Sequence, residues 1–568
     1  NRFTSERDTS DTSASAKKLS KLNPDFEVDV DQCLQYCIIN FALFSTLQSI
    51  LICKTCKQGI RFSKRNEKGL GFQLSVKCRC ESDTIIPSCP QIGKAYEVNR
   101  RFVFAMRLLG VGFQGIVNFC GIMDIGKGMN RSTYYDIINH IWIATTEVTR
   151  MVFKKAVKEE QEKNEAAGNV KNRLSVSGDG SWARRGFSSL VGLSSLVGKF
   201  SGKLIDVVVK SSTCKMCEQW KGKTDDPEFE SWYESHEPDC NANHEGSAGM
   251  MEVNGIIEMF ERSVELHNVY YEYYIGDGDT KTFKKLKDVQ PYGDVVNVQK
   301  KECVLHVKKR MFKRANDAKK QLTQARKSTQ KEATKKEKGK KSVKTVSLTI
   351  KLMKELSTYY ELAIRRHPDS TEDMRKAIWA TYYHKISTDE NPQHSMCPEG
   401  TDSWCKYRRA EAMQTVRSFK HPPPLDAQIQ PFLKHIYEDL STEDLLQRCL
   451  GANTQNNNES YNACVWHLAP KHIFVGKQIV EIAAFCAACT FNEGFQPILK
   501  VMEVMEVCIG KEAAGFAENR DNARIAASTR RSSEASKERR TEIRNQKLLE
   551  SDSYEHTEGI MYGAGIAD

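Results

Sequence analysis

Alternating apolar and polar positions predict a sheet-forming segment between residues 172 and 300. Three consecutive strand-like runs, RLSVSGDGSW, SSLVGLSSLVGKF and GKLIDVVVKSS, are separated by turn residues, which is typical of an antiparallel meander. An amphipathic helical run, SAGMMEVNGIIEMFERSVEL, follows, and two more strand-like runs, NVYYEYYIG and DVVNVQK, complete the segment. The pattern therefore predicts an α/β (mixed α+β) fold with three antiparallel strands, a helix, a strand, a helix and a strand.

Helical spacing of apolar residues dominates the flanking segments. The runs NRRFVFAMRLLG and FQGIVNFCGIM and a long run from 130 to 165 predict helices before the sheet, and most of 301–455 and 475–510 reads as helical after it. We interpret the first helices as a packed spacer or a dimer surface, and docking on DNA through their basic residues is the alternative. The uncharged stretch 32–53 contains several Gln, Asn and Ser residues, which favours a buried helix pair over a membrane span.

A chain of 568 residues is too long for one ordinary core, so we divide it by composition. The expected parts are a disordered leader (1–24), a Cys-rich zinc-ribbon-like module (25–95), a helical segment (96–170), the first part of the core with a Cys/His insertion (171–300), a basic and helical insertion (301–455), the final core helices (456–510) and a charged disordered tail (511–568).

The positive charge of the chain is concentrated in one segment. Residues 301–344 hold 17 Lys and Arg against 4 Asp and Glu, whereas the formal charge of the whole chain is +11. A concentrated positive field attracts phosphate backbones, and we expect Lys308, Lys309, Arg310, Lys313 and Arg314 to contact DNA. We also expect Arg184 and Arg185, which follow Asp179, to contact DNA, with packing beneath the strand as the alternative. The alternative for the lysine-rich stretch is a solvated loop without a partner.

Three separated acidic signatures suggest a catalytic metal site. Asp179 lies in the first strand-like run, Asp277 ends the fourth, and Glu459 opens a helix-like stretch after an Asn-rich loop. Carboxylates from two strand ends and one helix are the arrangement of an RNase H-like core that holds two Mg²⁺ or Mn²⁺ ions for phosphoryl transfer. Asp279 remains an alternative to Asp277, and we expect the glycines beside Asp179 to let substrate approach closely.

Several of the 19 cysteines have the spacing of zinc ligands, and no secretory signal is recognisable, so we expect reduced thiols. The expected ligand sets are Cys53, Cys56, Cys78 and Cys80; Cys214, Cys217, His236 and Cys240, with His244 as a substitute; and Cys303, His306, Cys397 and Cys405, which would combine across the fold with His394 nearby. For the first and third sets, the alternative is buried thiols and histidines without metal.

The ordered motifs resemble a known family. The strings DGSWARRGF, CKMC with HEPDCNANHEGSAGMME, YYIGDGDTKTF, VQKKECVLHVKKR, CPEGTDSWCKY and TQNNNESYNACVWHLAPK are similar to those of the Mutator-like transposases of animal genomes, a branch of the DDE transposases, over residues 30–510. The resemblance implies an RNase H-like core with a large helical insertion before the Glu. It matches Asp179, Asp277 and Glu459 to the acidic triad, and Cys303 with His306 to a Cys-x2-His element.

The function implied is metal-dependent DNA cleavage and strand transfer at transposon ends. The expected partners are double-stranded DNA, both terminal inverted repeats and target, and further copies of the chain, with no membrane. The expected location is the nucleus, for which KERR at 537–540 is a weak import signal. The alternatives are a catalytically silent, domesticated DNA-binding protein derived from a transposase and a host nuclease that uses the same carboxylates.

Overall fold

A computed structural model describes residues 12–19, 24–80, 82–126, 128–183, 189–223, 225–276, 280–332, 347–543 and 546. Its strands are β1 (Val30–Asp31), β2 (Arg61–Lys68), β3 (Gly71–Lys77), β4 (Thr84–Pro87), β5 (Gln91–Ile92), β6 (Ala95–Tyr96), β7 (Arg173–Trp182), β8 (Val191–Gly198), β9 (Leu204–Ser211), β10 (Tyr270–Gly276), β11 (Gln299–Glu302) and β12 (Ile509–Gly510).

The helices are α1 (Ala14–Leu19), α2 (Leu43–Ile50), α3 (Glu97–Leu108), α4 (Phe113–Ile122), α5 (Arg131–Ala166), α6 (Lys215–Gln219), α7 (Pro227–His236), α8 (Ala248–Glu261), α9 (Ser263–His267), α10 (Thr280–Val289), α11 (Val304–Glu332), α12 (Ile350–Arg366), α13 (Thr371–Ile386), α14 (Lys406–Ala412), α15 (Gln430–Asp439), α16 (Glu443–Cys449), α17 (Asn456–Leu468), α18 (Lys477–Glu493), α19 (Gln496–Val504) and α20 (Lys511–Ser532). Short 3₁₀ turns occupy Pro24–Phe26, Glu237–Asp239 and Val416–Ser418.

The central sheet has five strands in the order β11-β10-β7-β8-β9. Strands β7, β8 and β9 pair antiparallel, as expected for a meander, whereas β10 joins the other side of β7 in parallel and β11 pairs parallel with β10. Parallel neighbours need a crossover, which α8 and α9 supply before β10 and α10 supplies before β11. The predicted order of strands and helices in this segment is therefore confirmed.

Helices cover both faces of this sheet. Val191, Leu193 and Val197 of β8 pack with α5 and α18, while Leu196 of the same strand packs with α8. Side chains alternate between the two faces along a strand, so a strand that is buried throughout, as β8 is, must be covered on both sides.

A separate helical lobe follows β11. Helices α11, α12, α13, α15 and α16 share a buried cluster that includes Met353, Tyr360 and Leu433. The side chain of Glu302, the last residue of β11, is 1% exposed and forms ion pairs with Arg310 of α11 and Arg448 of α16. This buried carboxylate joins the edge of the sheet to the lobe.

Three predictions about the ends of the chain differ from the structure. In 32–53 only α2 is helical, and Ile38, Ile50 and Ile52 are exposed, so the buried helix pair was wrong. Within the leader, α1 packs on α20 and α18, and α20 itself was expected to be disordered. The charged composition of this segment predicted disorder, but one of its charged residues attaches the helix to the protein. The carboxylate of Asp521 accepts the backbone N–H of Phe495 and so anchors α20.

Among the described residues, no single helix is long and apolar enough to cross a membrane. One pair, Glu97–Leu108 with Phe113–Ile122, meets the length and composition criteria only when taken together, and it is bent by 111°.

Candidate catalytic site and metal-binding groups

Asp179 lies on β7, the central strand of the sheet, and is partly buried. Its Oδ2 accepts a hydrogen bond of 2.8 Å from the side-chain amide of Asn462 on α17. The glycines beside it face the other side of the strand, where the protein leaves no room for a side chain. A Cβ at Gly178 would lie 2.5 Å from the ring of Tyr274, and one at Gly180 would lie 2.6 Å from Oε2 of Glu252. The two glycines therefore make room for the side chains of Tyr274 and Glu252, and not for substrate as expected from the sequence.

Helix α17 is held on this part of the sheet by side-chain amides and one indole. Gln455, just before the helix, donates to the carbonyl of Gly178 at 2.6 Å, and the buried Asn458 donates to the carbonyls of Ser177 and Ser195 at 3.0 and 3.2 Å. One turn beyond Asn462, Trp466 donates to Ser181 Oγ at 2.8 Å. These bonds run along β7 on both sides of Asp179, so they fix the helix relative to that carboxylate.

Glu459 is exposed in the first turn of α17, three residues before Asn462. Residues three apart in a helix are neighbours on its surface. The structure therefore brings the helix that carries Glu459 onto the strand that carries Asp179, and Asn462 of that helix contacts the Asp179 carboxylate.

The other predicted acidic residues, Asp277 and Asp279, lie outside the described residues, as do Arg184 and Arg185. The strand β10 ends at Gly276, one residue before Asp277, and it runs parallel to β7 with Ile275 opposite Ser177.

The predicted DNA-contacting residues of α11 fall into two groups. Lys308 pairs with Glu361 at 2.6 Å, Arg310 with the buried Glu302, and Arg314 with Asp439 at 2.6 Å. Lys309 and Lys313 are exposed on the same helix. Three of the five side chains thus connect parts of the lobe and sheet, and sequence alone could not separate them from the other two.

The first group of candidate zinc ligands is Cys53, Cys56, Cys78 and Cys80, as the spacing predicts. The Sγ atoms of Cys56 and Cys78 are 3.1 Å apart, and those of Cys53 and Cys80 are 3.6 Å apart. Backbone N–H donors of Cys56 and Thr55 lower the pKa of the Cys53 thiol to about 6. A thiolate held in this way is a ready ligand for zinc.

The second group, Cys214, Cys217, His236 and Cys240, also forms as predicted. Cys214 Sγ lies 3.3 Å from His236 Nε2, and the sulfurs of Cys217 and Cys240 are 3.5 Å apart. Burial alone would raise the pKa of the Cys214 thiol, but backbone N–H donors, first that of Cys217, lower it to about 6. His244, the predicted substitute, lies outside the group and contacts the carbonyl of Ser247.

The third group differs from the predicted set. Cys397 and Cys405 meet His384 and His394, and neither Cys303 nor His306 belongs to the group. His384 was missed because its only signal is a histidine in the last turn of α13, ten residues before the recognisable spacing begins. Hydrogen bonds, first from Cys397 and then from both histidines, lower the pKa of the Cys405 thiol despite its burial.

The described residues form a mixed α/β protein with three Cys/His groups that could bind zinc and a central strand that carries the Asp179 carboxylate. A sequence model of the Mutator-like transposase family matches residues 35–405, which is more than half of the chain. The chain therefore belongs to the Mutator-like transposase family. No curated protein and no solved structure gave a match.

Proposed function

We propose that the protein is a DDE-type DNA transposase whose catalytic carboxylates are Asp179, Asp277 and Glu459. Membership of the transposase family is the observation that carries the proposal. It implies a DNA-binding transposase or a protein derived from one, and the contact between Asp179 and α17 supports the active form.

An RNase H-like core is supported by the sheet. Its three antiparallel strands come first in sequence, and the two parallel strands are added beside the first of them. In this arrangement, Asp179 occupies the central strand, and the neighbouring parallel strand ends at Gly276, just before Asp277. Glu459 would complete the set from α17.

The residues fit a hard divalent cation such as Mg²⁺ or Mn²⁺, because all three proposed ligands offer carboxylate oxygens. When bound, such ions would polarise the scissile phosphate and favour deprotonation of the attacking water or 3′-hydroxyl. The chain's own contribution is orientation. The amide of Asn462 donates to Oδ2 of Asp179 at 2.8 Å, which fixes the orientation of the carboxylate on β7.

The exposed Lys309 and Lys313, together with Arg184 and Arg185, are the proposed contacts to DNA phosphates. The first two Cys/His groups would hold zinc as structural ions, since each provides four protein ligands and leaves no position for substrate. We extend the proposal to action as a homo-oligomer in the nucleus on terminal inverted repeats and target DNA, which the family membership favours.

The test is a nicking assay on DNA that carries the element's inverted repeats, with and without Mg²⁺. Wild-type protein should cut only with the cation, and Asp179→Asn and Glu459→Gln should each reduce cutting at least about 100-fold while still shifting the DNA in a gel. Asp288→Asn, which changes an exposed aspartate of α10, is the matched control.

Three results would contradict the proposal. Cutting by Asp179→Asn at the wild-type rate would exclude that carboxylate from catalysis. A wild-type protein that shifts the DNA in Mg²⁺ without cutting it would be a silent, domesticated binder, and one that cuts without ever joining ends would be a nuclease.

A further inference from the structure

The third Cys/His group has the spacing of a closed tetrahedral metal centre. Around a zinc ion with bonds of about 2.0–2.1 Å to nitrogen and 2.3 Å to sulfur, neighbouring nitrogens lie about 3.3 Å apart and nitrogen–sulfur pairs about 3.6 Å. The Nδ1 atoms of His384 and His394 are 3.3 Å apart, and Cys405 Sγ lies 3.6 and 3.4 Å from them. Cys397 Sγ lies 3.7 Å from His394 Nδ1.

Burial makes this convergence costly without a cation. His394, Cys397 and Cys405 are 4%, 3% and 0% exposed, so water cannot solvate a charge on any of them. Two imidazole Nδ1 atoms that face each other at 3.3 Å cannot both carry a proton, and a shared cation satisfies both lone pairs at once.

A chain of hydrogen bonds leads away from the group. The other ring nitrogen of His394, Nε2, lies 3.0 Å from His421 Nε2 and 2.9 Å from Ser387 Oγ. The planes of the two imidazoles are 20° apart and their centroids are 5.2 Å apart, which places the rings end to end, as expected for a hydrogen bond between the two Nε2 atoms. His421 Nδ1 in turn lies 2.7 Å from Oδ1 of Asp389, which also accepts the backbone N–H of His421.

These hydrogen bonds fix the tautomers of His421 and His394. The Asp389 carboxylate accepts from Nδ1–H of His421, which leaves His421 Nε2 as an acceptor for Nε2–H of His394. His394 then presents the lone pair of Nδ1 toward the two sulfurs. Carboxylates that orient a histidine in this way are the usual outer partners of zinc-bound imidazoles, and here a second imidazole extends the link.

The surrounding segment has little other core. Between α13 and α15 the structure holds α14, one 3₁₀ turn and loops, and the local buried cluster consists of Ala380, Cys397 and Cys405 with Trp404 and Tyr407 packed against them. So few apolar side chains cannot fold residues 387–421 by themselves, and small modules of this kind usually depend on a metal.

We propose that His384, His394, Cys397 and Cys405 bind a third structural zinc ion, and that His421 and Asp389 hold His394 in its ligating tautomer. Cys397 and Cys405 are thereby assigned to a centre inside the lobe, distinct from the Cys303-x2-His306 element. The centre folds residues 387–421 onto α13, and it does so whether or not the protein cuts DNA.

The experiment measures zinc bound per full-length chain by mass spectrometry after dialysis. Cys405→Ser should bind one equivalent less than wild type, whatever the other two groups hold. The segment 387–421 should also become the first site of limited proteolysis. An unchanged zinc content in Cys405→Ser would overturn the ligand set.

The hydrogen-bond chain is tested with milder variants that keep all four ligands. His421→Ala and Asp389→Asn should bind the full complement at saturating zinc but release one equivalent to a competing chelator about 10–100-fold more readily. His435→Ala, in which the lost side chain is 74% exposed, is the control. Release from His421→Ala at the rate of that control would refute the role of the chain, and circular dichroism of each variant identifies any general unfolding.

Discussion

Replacing Asn458 by alanine tests how α17 is attached to the central sheet. Three consecutive asparagines open this helix, and only the third is buried: Asn458 is 0% exposed, whereas Asn456 and Asn457 are exposed. The amide of Asn458 donates to the carbonyls of Ser177 and Ser195 and also lies 3.2 Å from Ser195 Oγ. Its removal leaves two buried carbonyls with one partner fewer.

The size of the effect follows from those two carbonyls. A buried group that loses its partner costs about 1–3 kcal/mol, and strand pairing keeps each carbonyl partly satisfied, so we expect about 2–4 kcal/mol in total. Asn456→Ala should change stability by no more than about 0.5 kcal/mol, because Asn456 is exposed.

The assay is hydrogen exchange of peptides from α17, since a chain of several cores need not unfold in one step. A loss of about 2–4 kcal/mol corresponds to roughly 30- to 1000-fold faster exchange of the helix amides, at about 1.4 kcal/mol per factor of ten. Equal exchange in Asn458→Ala and Asn456→Ala would show that the buried amide does not hold the helix. The nicking rate should fall with the exchange protection, because Glu459 and Asn462 move with the helix.

Two further predictions concern charged groups. Glu302→Gln removes the buried charge that pairs with Arg310 and Arg448, so it should destabilise the lobe by about 3 kcal/mol, measured as faster hydrogen exchange of α16. Asp439→Asn breaks the pair with Arg314, whose two side chains are 44% (Arg314) and 43% (Asp439) exposed, and should cost less than about 1 kcal/mol. Similar effects of the two changes would refute the distinction. Burial, with repulsion from Arg524, lowers the pKa of Lys18 to about 7. Between pH 7 and about 10, Lys18 therefore keeps its proton in the unfolded protein but loses it in the folded protein, so the free energy of unfolding rises with pH through that window. Lys18→Met should therefore gain more protection over wild type at pH 7 than at pH 9 in hydrogen exchange of α1, and an equal difference at both values would contradict the shift.

The sheet could be predicted from the sequence because its strands alternate or run apolar between turn residues. The run RLSVSGDGSW coincides with β7. The fifth strand was placed too early: Val296 and Val298 are buried in the core, but pairing with β10 begins only at Gln299. Apolar residues occur both in buried loops and in paired strands, so the sequence could not show at which residue the fifth strand begins.

The metal groups show the same limit. Cys-x2-Cys pairs predicted the first two groups because each of those groups contains such a tight local pair of ligands. In the third, the spacing from His394 to Cys405 was recognisable, but the choice between Cys303 with His306 and His384 depends on which helix packs beside the loop. That is a property of tertiary packing, and no spacing rule contains it.

The hydrogen bond between Asn462 and Asp179 joins residues 283 positions apart, with the whole helical lobe between them. A ribosome that adds about 5–20 residues per second releases β7 many seconds before α17 exists. The sheet can form early, yet its central carboxylate gains this partner only after the lobe has been synthesised. A nascent or prematurely ended chain would therefore contain the strands of the sheet without α17. Any chemistry that needs Asp179 and α17 together would begin only when the protein is nearly finished.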